Sequence, residues 1–146
     1  MAGFSDRALR AVTIAHDEAL RLGRTCVSVD LLVLGIIDAD PDGLAARVLQ
    51  DVGVDLAALR LQITEPQDRP AGVTSTDAHV PFCADTREVT ELAEPEREKL
   101  MHDQIDPIHI LLALVAGAEA RLTELLAPFG VYPRWIRIRV FKVLSN

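Results

Sequence analysis

The densest set of groups that could do chemistry lies in residues 102–109, where His102, Asp103, Asp106 and His109 fall within eight positions. Imidazole and carboxylate are the side chains of hydrolytic metal centres and of general acid–base pairs. Their spacing argues against a shared ion. On one continuous helix, two histidines seven positions apart stand two turns apart, roughly 10 Å, unless the chain folds back near Pro107. A small helical metal-dependent enzyme at His102 and His109 is therefore the weaker alternative. The two cysteines, Cys26 and Cys83, stand at no metal-ligand spacing and at non-equivalent places in the repeat described below. They are expected to be two reduced thiols rather than a disulfide or a zinc site. The chain has no Gly-x-Ser-x-Gly elbow, no glycine-rich dinucleotide turn, no His-Glu-x-x-His helix and no phosphate loop ending in Gly-Lys-Ser/Thr. No catalysis, no cofactor and no bound metal are expected.

The elements that must position these residues come in two similar sets. Phe4 aligns with Phe82, Ile14 with Leu92, Ala15 with Ala93, Leu22 with Leu100, Val27 with Ile105 and Leu34 with Leu112, all at one offset. One extra residue in the loop 38–43 shifts the register, after which Leu49 aligns with Leu126, Gly53 with Gly130, Val54 with Val131, Leu59 with Ile136 and Ile63 with Val140. The reading is a single domain over 1–146 made of two repeats, 4–64 and 81–144, joined by a linker over 65–80 rich in Pro, Asp, Gly, Ser and Thr.

Within each repeat the apolar spacing is helical. Ser5 is placed to cap a helix over 5–22 that Gly23 stops. The run 31–37 is apolar nearly all round and reads as a buried helix, with Asp30 as its cap. A short helix over 44–52 closes at Gly53, and Asp55 starts a fourth. In the second repeat Pro95 interrupts a helix over 83–100 and should kink or break it near Glu94. Residues 134–144 alternate like a strand, yet the repeat register makes them helical. That helix has a second apolar stripe, Trp135, Ile138 and Phe141, expected either to pack on the other half or to form a partner surface. His16, at the edge of the first helix, is expected only to be solvated. The fold class is all-α, a tandem pseudo-twofold repeat of a four-helix unit.

Composition narrows the partners. With 49% hydrophobic residues in 146, the chain can bury a sizeable core. A formal charge of −7 is the wrong sign for a phosphate backbone, so nucleic acid is not expected. No signal-peptide pattern or membrane-length apolar run appears. A cytoplasmic protein without membrane partners is expected.

The order Phe4-Ser-Asp-Arg7, 15–23, 31–37, the segment Gly43-Leu-Ala-Ala-Arg-Val-Leu49 and Gly53-Val54 resembles the repeat of Clp ATPase N-terminal domains, most closely the ClpC type. His79-Val-Pro-Phe82 looks like the opening of the second repeat. The resemblance implies an all-helical module that receives substrates and adaptors for an unfolding motor, here without the motor's phosphate loop. The missing phosphate loop and the departures from the family's site residues favour a free-standing recognition protein of the Clp system, expected to act as a delivery factor or as a decoy for Clp-targeting cyclic peptides. The alternative is the recognition domain of a full ClpC-type unfoldase. Partners would be Clp substrates, adaptors, the Clp ATPase or cyclic peptide natural products.

Site residues carry over by position. In the family a glutamate in each repeat helps receive phosphorylated arginine. Here Ser28-Val29-Asp30-Leu31 keeps a shorter carboxylate, and Asp106-Pro107-Ile108-His109 replaces the second with Ile108. Ser5 and Asp30 make the possible phosphoarginine-like site, with Asp106 the only group near enough to substitute in the second repeat. For the cyclic-peptide surface, Phe82 matches the family aromatic, Arg87 replaces a lysine and Glu91 matches an acidic residue. Arg87 and Glu91, four apart, could also form a surface ion pair.

Overall fold

Ser5 sets the start of the first helix. Its side chain accepts a hydrogen bond from the Ala8 N–H at 3.2 Å, satisfying one of the free amides of a helix start. The computed structural model describes residues 3–64 and 80–144. Helix α1 (Asp6–Arg21) buries Ala8, Ala11, Ala15 and Ala19 along one stripe. These small side chains let α2 (Val29–Ala39) lie close, and a Cβ on Gly35 would fall 2.1 Å from the Ala11 carbonyl oxygen. Helix α2 buries eight of its eleven residues, as an element apolar all round must. Helices α3 (Leu44–Asp51) and α4 (Leu56–Thr64) complete the first set, with Gly53 at φ 111° between them and Asp55 Oδ1 accepting the Ala58 N–H at 3.2 Å.

The second set repeats the order: α5 (Ala84–Leu100), α6 (Pro107–Gly117), α7 (Glu119–Leu126), a 3-10 turn (Ala127–Phe129) and α8 (Pro133–Leu144). The all-α repeat is thus as expected, and the described residues contain no strand. The buried stripe of α5, Thr86, Val89 and Ala93, occupies the positions that align with Ala8, Ala11 and Ala15. Helices α2 and α6 touch each other at the centre, with α1 on one and α5 on the other. Most of the expected linker, residues 65–79, lies outside the described residues.

Three local expectations are corrected. Helix α5 runs unbroken through Pro95. Pro95 and Glu91 are both exposed, so the Glu91 carbonyl that loses its donor faces water, and the cost expected of an interior proline is reduced. The cap of α2 is Ser28, with Asp30 in the first turn beyond it. The stripe on α8 does not pack on the other half. Trp135, Ile138 and Phe141 are 39%, 52% and 40% exposed while Ile136 and Val140 are buried.

The two sets are joined at two reciprocal seams. Residues preceding α1 pair with the loop before α6, and residues preceding α5 pair with the loop before α2. At the first, Ser5 N–H donates to Ile105 O at 2.9 Å and Ile105 N–H to Gly3 O at 3.0 Å. At the second, Cys83 N–H donates to Val27 O at 3.0 Å and Val27 N–H to Pro81 O at 2.8 Å. Phe4 bridges Ile105 and Val27 bridges Phe82, both in parallel sense.

Candidate functional site

The second seam holds the features that matter most. Cys83 ends the segment 80–83, Cys26 lies in the loop before α2, and the pairing of Val27 with Phe82 brings their side chains together as a disulfide with Cα atoms 5.1 Å apart. The two reduced thiols expected from sequence are thereby corrected. The cysteines are indeed at non-equivalent repeat positions. Because each segment crosses to the other repeat's loop, it is non-equivalent positions that meet.

On one side of this seam is an open cavity of about 540 Å³ lined by Val12, Thr13 and His16 of α1, by Val80, Pro81 and Phe82, and by Arg87 of α5. Phe82 is half-buried and packs on the core, leaving part of its ring to the cavity. His16 Nε2 accepts the Val80 N–H at 3.1 Å and so anchors the segment that carries Phe82. Its Nδ1 lies 3.8 Å from Asp17 Oδ1. Sequence reasoning left His16 to solvent because its partner is an amide 64 residues away. Phe82 and Arg87 are brought together here. Glu91, one turn further along α5, is exposed and does not line the cavity.

On the other side is a polar cavity of about 470 Å³ whose wall includes Arg24, Ser28, Asp30, Cys26, Cys83, Arg121 and Glu124. Asp30 is already engaged: Ser28 Oγ donates to its Oδ1, and Arg24 Nη2 lies 3.4 Å from its Oδ2. Ser5 does not share this cavity. It belongs to the other seam, and Cys83 is the residue in the corresponding place here. Arg121 pairs with Asp85 at 3.6 Å.

The matching pocket at the first seam is smaller, about 210 Å³, and includes Arg7, Asp40, His102, Asp106 and Ile108. Arg7 bridges Asp40 at 3.5 Å and Asp106 at 3.8 Å. Beside it the two histidines meet. His102 is in the loop before α6 rather than on the helix, so helical spacing does not apply, and its Nδ1 lies 2.8 Å from His109 Nε2. The tautomers follow from the partners. The Asp106 N–H donates to His109 Nδ1 at 2.8 Å, so the His109 proton is on Nε2 and is donated to His102 Nδ1. Burial first, and the neighbouring His102 second, push His109 down to about 4. The facing nitrogens are spent on each other. Among the described residues no group of three or more His, Cys, Asp or Glu is placed to hold a metal ion.

Helix α8 presents Trp135, Ile138 and Phe141 directly opposite its buried side, flanked by Arg134 and Lys142. Arg137 and Arg139 instead turn back to Glu96 and Asp51.

An all-helical chain of two four-helix sets joined at such seams, over residues 3–129, matches the family described as the Clp repeat (R) N-terminal domain, and the chain belongs to it. Its relatives are chaperones. It is 30% identical over 143 residues to the chloroplastic chaperone protein ClpC of Pisum sativum, and equally so to the chloroplastic ClpC1 of Arabidopsis thaliana. In each case 98% of this chain is covered and 15% of the relative, so the chain spans about 15% of the length of these chaperones. The N-terminal domain of the caseinolytic protease associated chaperone ClpD from Arabidopsis thaliana shares the fold, with TM-score 0.73, 23% identity and coverage of 98% of this chain and 95% of that one. The Hsp104 N-terminal domain from Candida albicans does so with TM-score 0.75, 12% identity and coverage of 97% and 91%. No helix among the described residues is long and apolar enough to cross a membrane.

Proposed function

We propose that this chain is a non-catalytic recognition module of the Clp chaperone–protease system, binding protein segments, adaptors or cyclic peptides in the cavity beside Phe82. The observation that carries the reading is that cavity. It is apolar at its floor, has the Arg87 cation at its rim, and lies on the segment that sequence resemblance singled out. Such a lining suits a peptide with an aromatic or aliphatic anchor and a polar edge. Acting apart from a motor domain, a module of this kind would serve as a decoy for Clp-targeting cyclic peptides. As a delivery factor it would also need a second contact surface, for which the exposed Trp135, Ile138 and Phe141 face of α8 is the candidate.

Calorimetric titration of the purified protein with a Clp-targeting cyclic peptide tests the reading. Arg87→Glu, an exposed position, should weaken binding about tenfold, as loss of about 1.4 kcal/mol at a rim contact implies. Glu91→Ala, outside the cavity, should leave it nearly unchanged. Equal binding by Arg87→Glu, or none by the parent protein, would remove the proposal.

A second reading rests on the polar cavity, where Asp30 shares a wall with Arg24 and Arg121. A carboxylate beside two guanidinium groups could receive phosphoarginine, its guanidinium on Asp30 and its phosphoryl group on the arginines. An incoming guanidinium would have to displace Arg24 from Asp30. Titration with phosphoarginine decides it, with Asp30→Asn expected to abolish any heat.

A further inference from the structure

We propose that Cys26–Cys83 is a reversible thiol–disulfide exchange site, at which an incoming dithiol attacks Cys26 and Cys83 departs. Three observations support this direction. The disulfide forms part of the wall of an open cavity, and both cysteines are half-buried rather than enclosed, so a thiolate can approach. Cys83 is the N-cap of α5, so a thiolate released there sits at the positive end of a 17-residue helix. Cys26 has no such helix end, since the cap of α2 is Ser28. Arg24 is paired with Asp30 and Arg121 with Asp85, so neither guanidinium is left to favour one sulfur and the helix end decides. The sulfur that is better stabilised as a thiolate is the better leaving group.

The exchange balances. The incoming thiolate bonds to Cys26 Sγ, the Cys26–Cys83 bond breaks, and Cys83 Sγ takes the electron pair. The second thiol of the dithiol loses its proton to water and attacks its own first sulfur, releasing Cys26 as a thiolate that then takes up a proton. The chain gains two electrons and the dithiol becomes a disulfide. A protein disulfide runs the same steps in reverse. What the exchange governs is one seam only. The bond holds the pairing of Val27 with Pro81 and Cys83, while the corresponding positions at the other seam are Ser5 and Gln104, which cannot cross-link.

The test uses the full oxidised chain under native conditions. A thioredoxin lacking its resolving cysteine should trap a mixed disulfide, and peptide mapping should place it on Cys26. Reduction by dithiothreitol should raise amide hydrogen exchange at Val27 and Cys83 at least about tenfold, as loss of even the smaller part of a cross-link's usual stabilisation implies. Exchange at Leu112 in the buried helix should rise less than at the seam. The proposal fails if the bond yields only after denaturation, if the adduct maps to Cys83, or if the two seam amides exchange at the same rate in both states.

Discussion

The histidine pair shows how a single buried ring couples stability to acidity. His109 is fully buried, its Nδ1 accepting from the Asp106 amide and its Nε2 facing His102, an arrangement that requires a neutral ring. Above pH 6.5 it is neutral whether folded or unfolded. As pH falls from 6.5 toward about 4, the unfolded chain takes up the proton and the folded one does not. Stability should therefore drop over that window, by about 1.4 kcal/mol per pH unit and about 3 kcal/mol in all. Urea unfolding at steps across the window should show this slope, and His109→Gln should flatten it. An unchanged slope in the variant would assign the acid sensitivity elsewhere. The two histidines were legible in the sequence, but their contact was not. Spacing on a helix separates His102 from His109, and only the loop between α5 and α6, held by Arg97 Nη1 donating to His102 O at 2.6 Å, turns one ring onto the other.

Among the elements, α5, α6 and α8 share one buried charge. Glu96, 3% exposed, receives Arg137 Nη2 at 3.0 Å and Nη1 at 3.4 Å, and Arg137 also donates to Leu112 O at 3.3 Å. Arg137→Met leaves the carboxylate with only Lys99, 3.5 Å away. The expected cost is about 2 kcal/mol, below the 3–5 usual for a broken buried pair because Arg137 keeps part of its side chain in water. Adding Glu96→Leu should restore most of it, and denaturant midpoints of the single and double variants check both statements. The helical elements themselves were largely readable, because apolar positions recur at helical spacing and Ser5, Gly23, Gly53 and Asp55 mark the ends. Pro95 misled because a proline's cost depends on whether its lost carbonyl partner faces water, and that is set by packing. The strand-like alternation in α8 misled in neither direction once Ile136 and Val140 were aligned with Leu59 and Ile63.

At the scale of the whole molecule, the repeat was legible and the crossing of its segments was not. Alignment pairs Phe4 with Phe82 and Val27 with Ile105, but nothing in that register says Phe4 lies on Ile105 and Val27 on Phe82. The disulfide and the Phe82 cavity both follow from the crossing. Cys26 and Cys83 are 57 positions apart, and closing a loop of that length removes enough freedom from the unfolded chain to stabilise the fold by up to about 4 kcal/mol. Reduced protein should thus unfold at distinctly lower urea than oxidised protein, by about 2–4 kcal/mol, and equal midpoints would show the bond to be energetically idle. The crossing also sets an order for biosynthesis. Gly3 and Ser5 leave the ribosome a hundred positions before Ile105, and Cys26 well before Cys83. The first four helices therefore emerge with both of their seams unmade and one thiol waiting for a partner 57 positions further on.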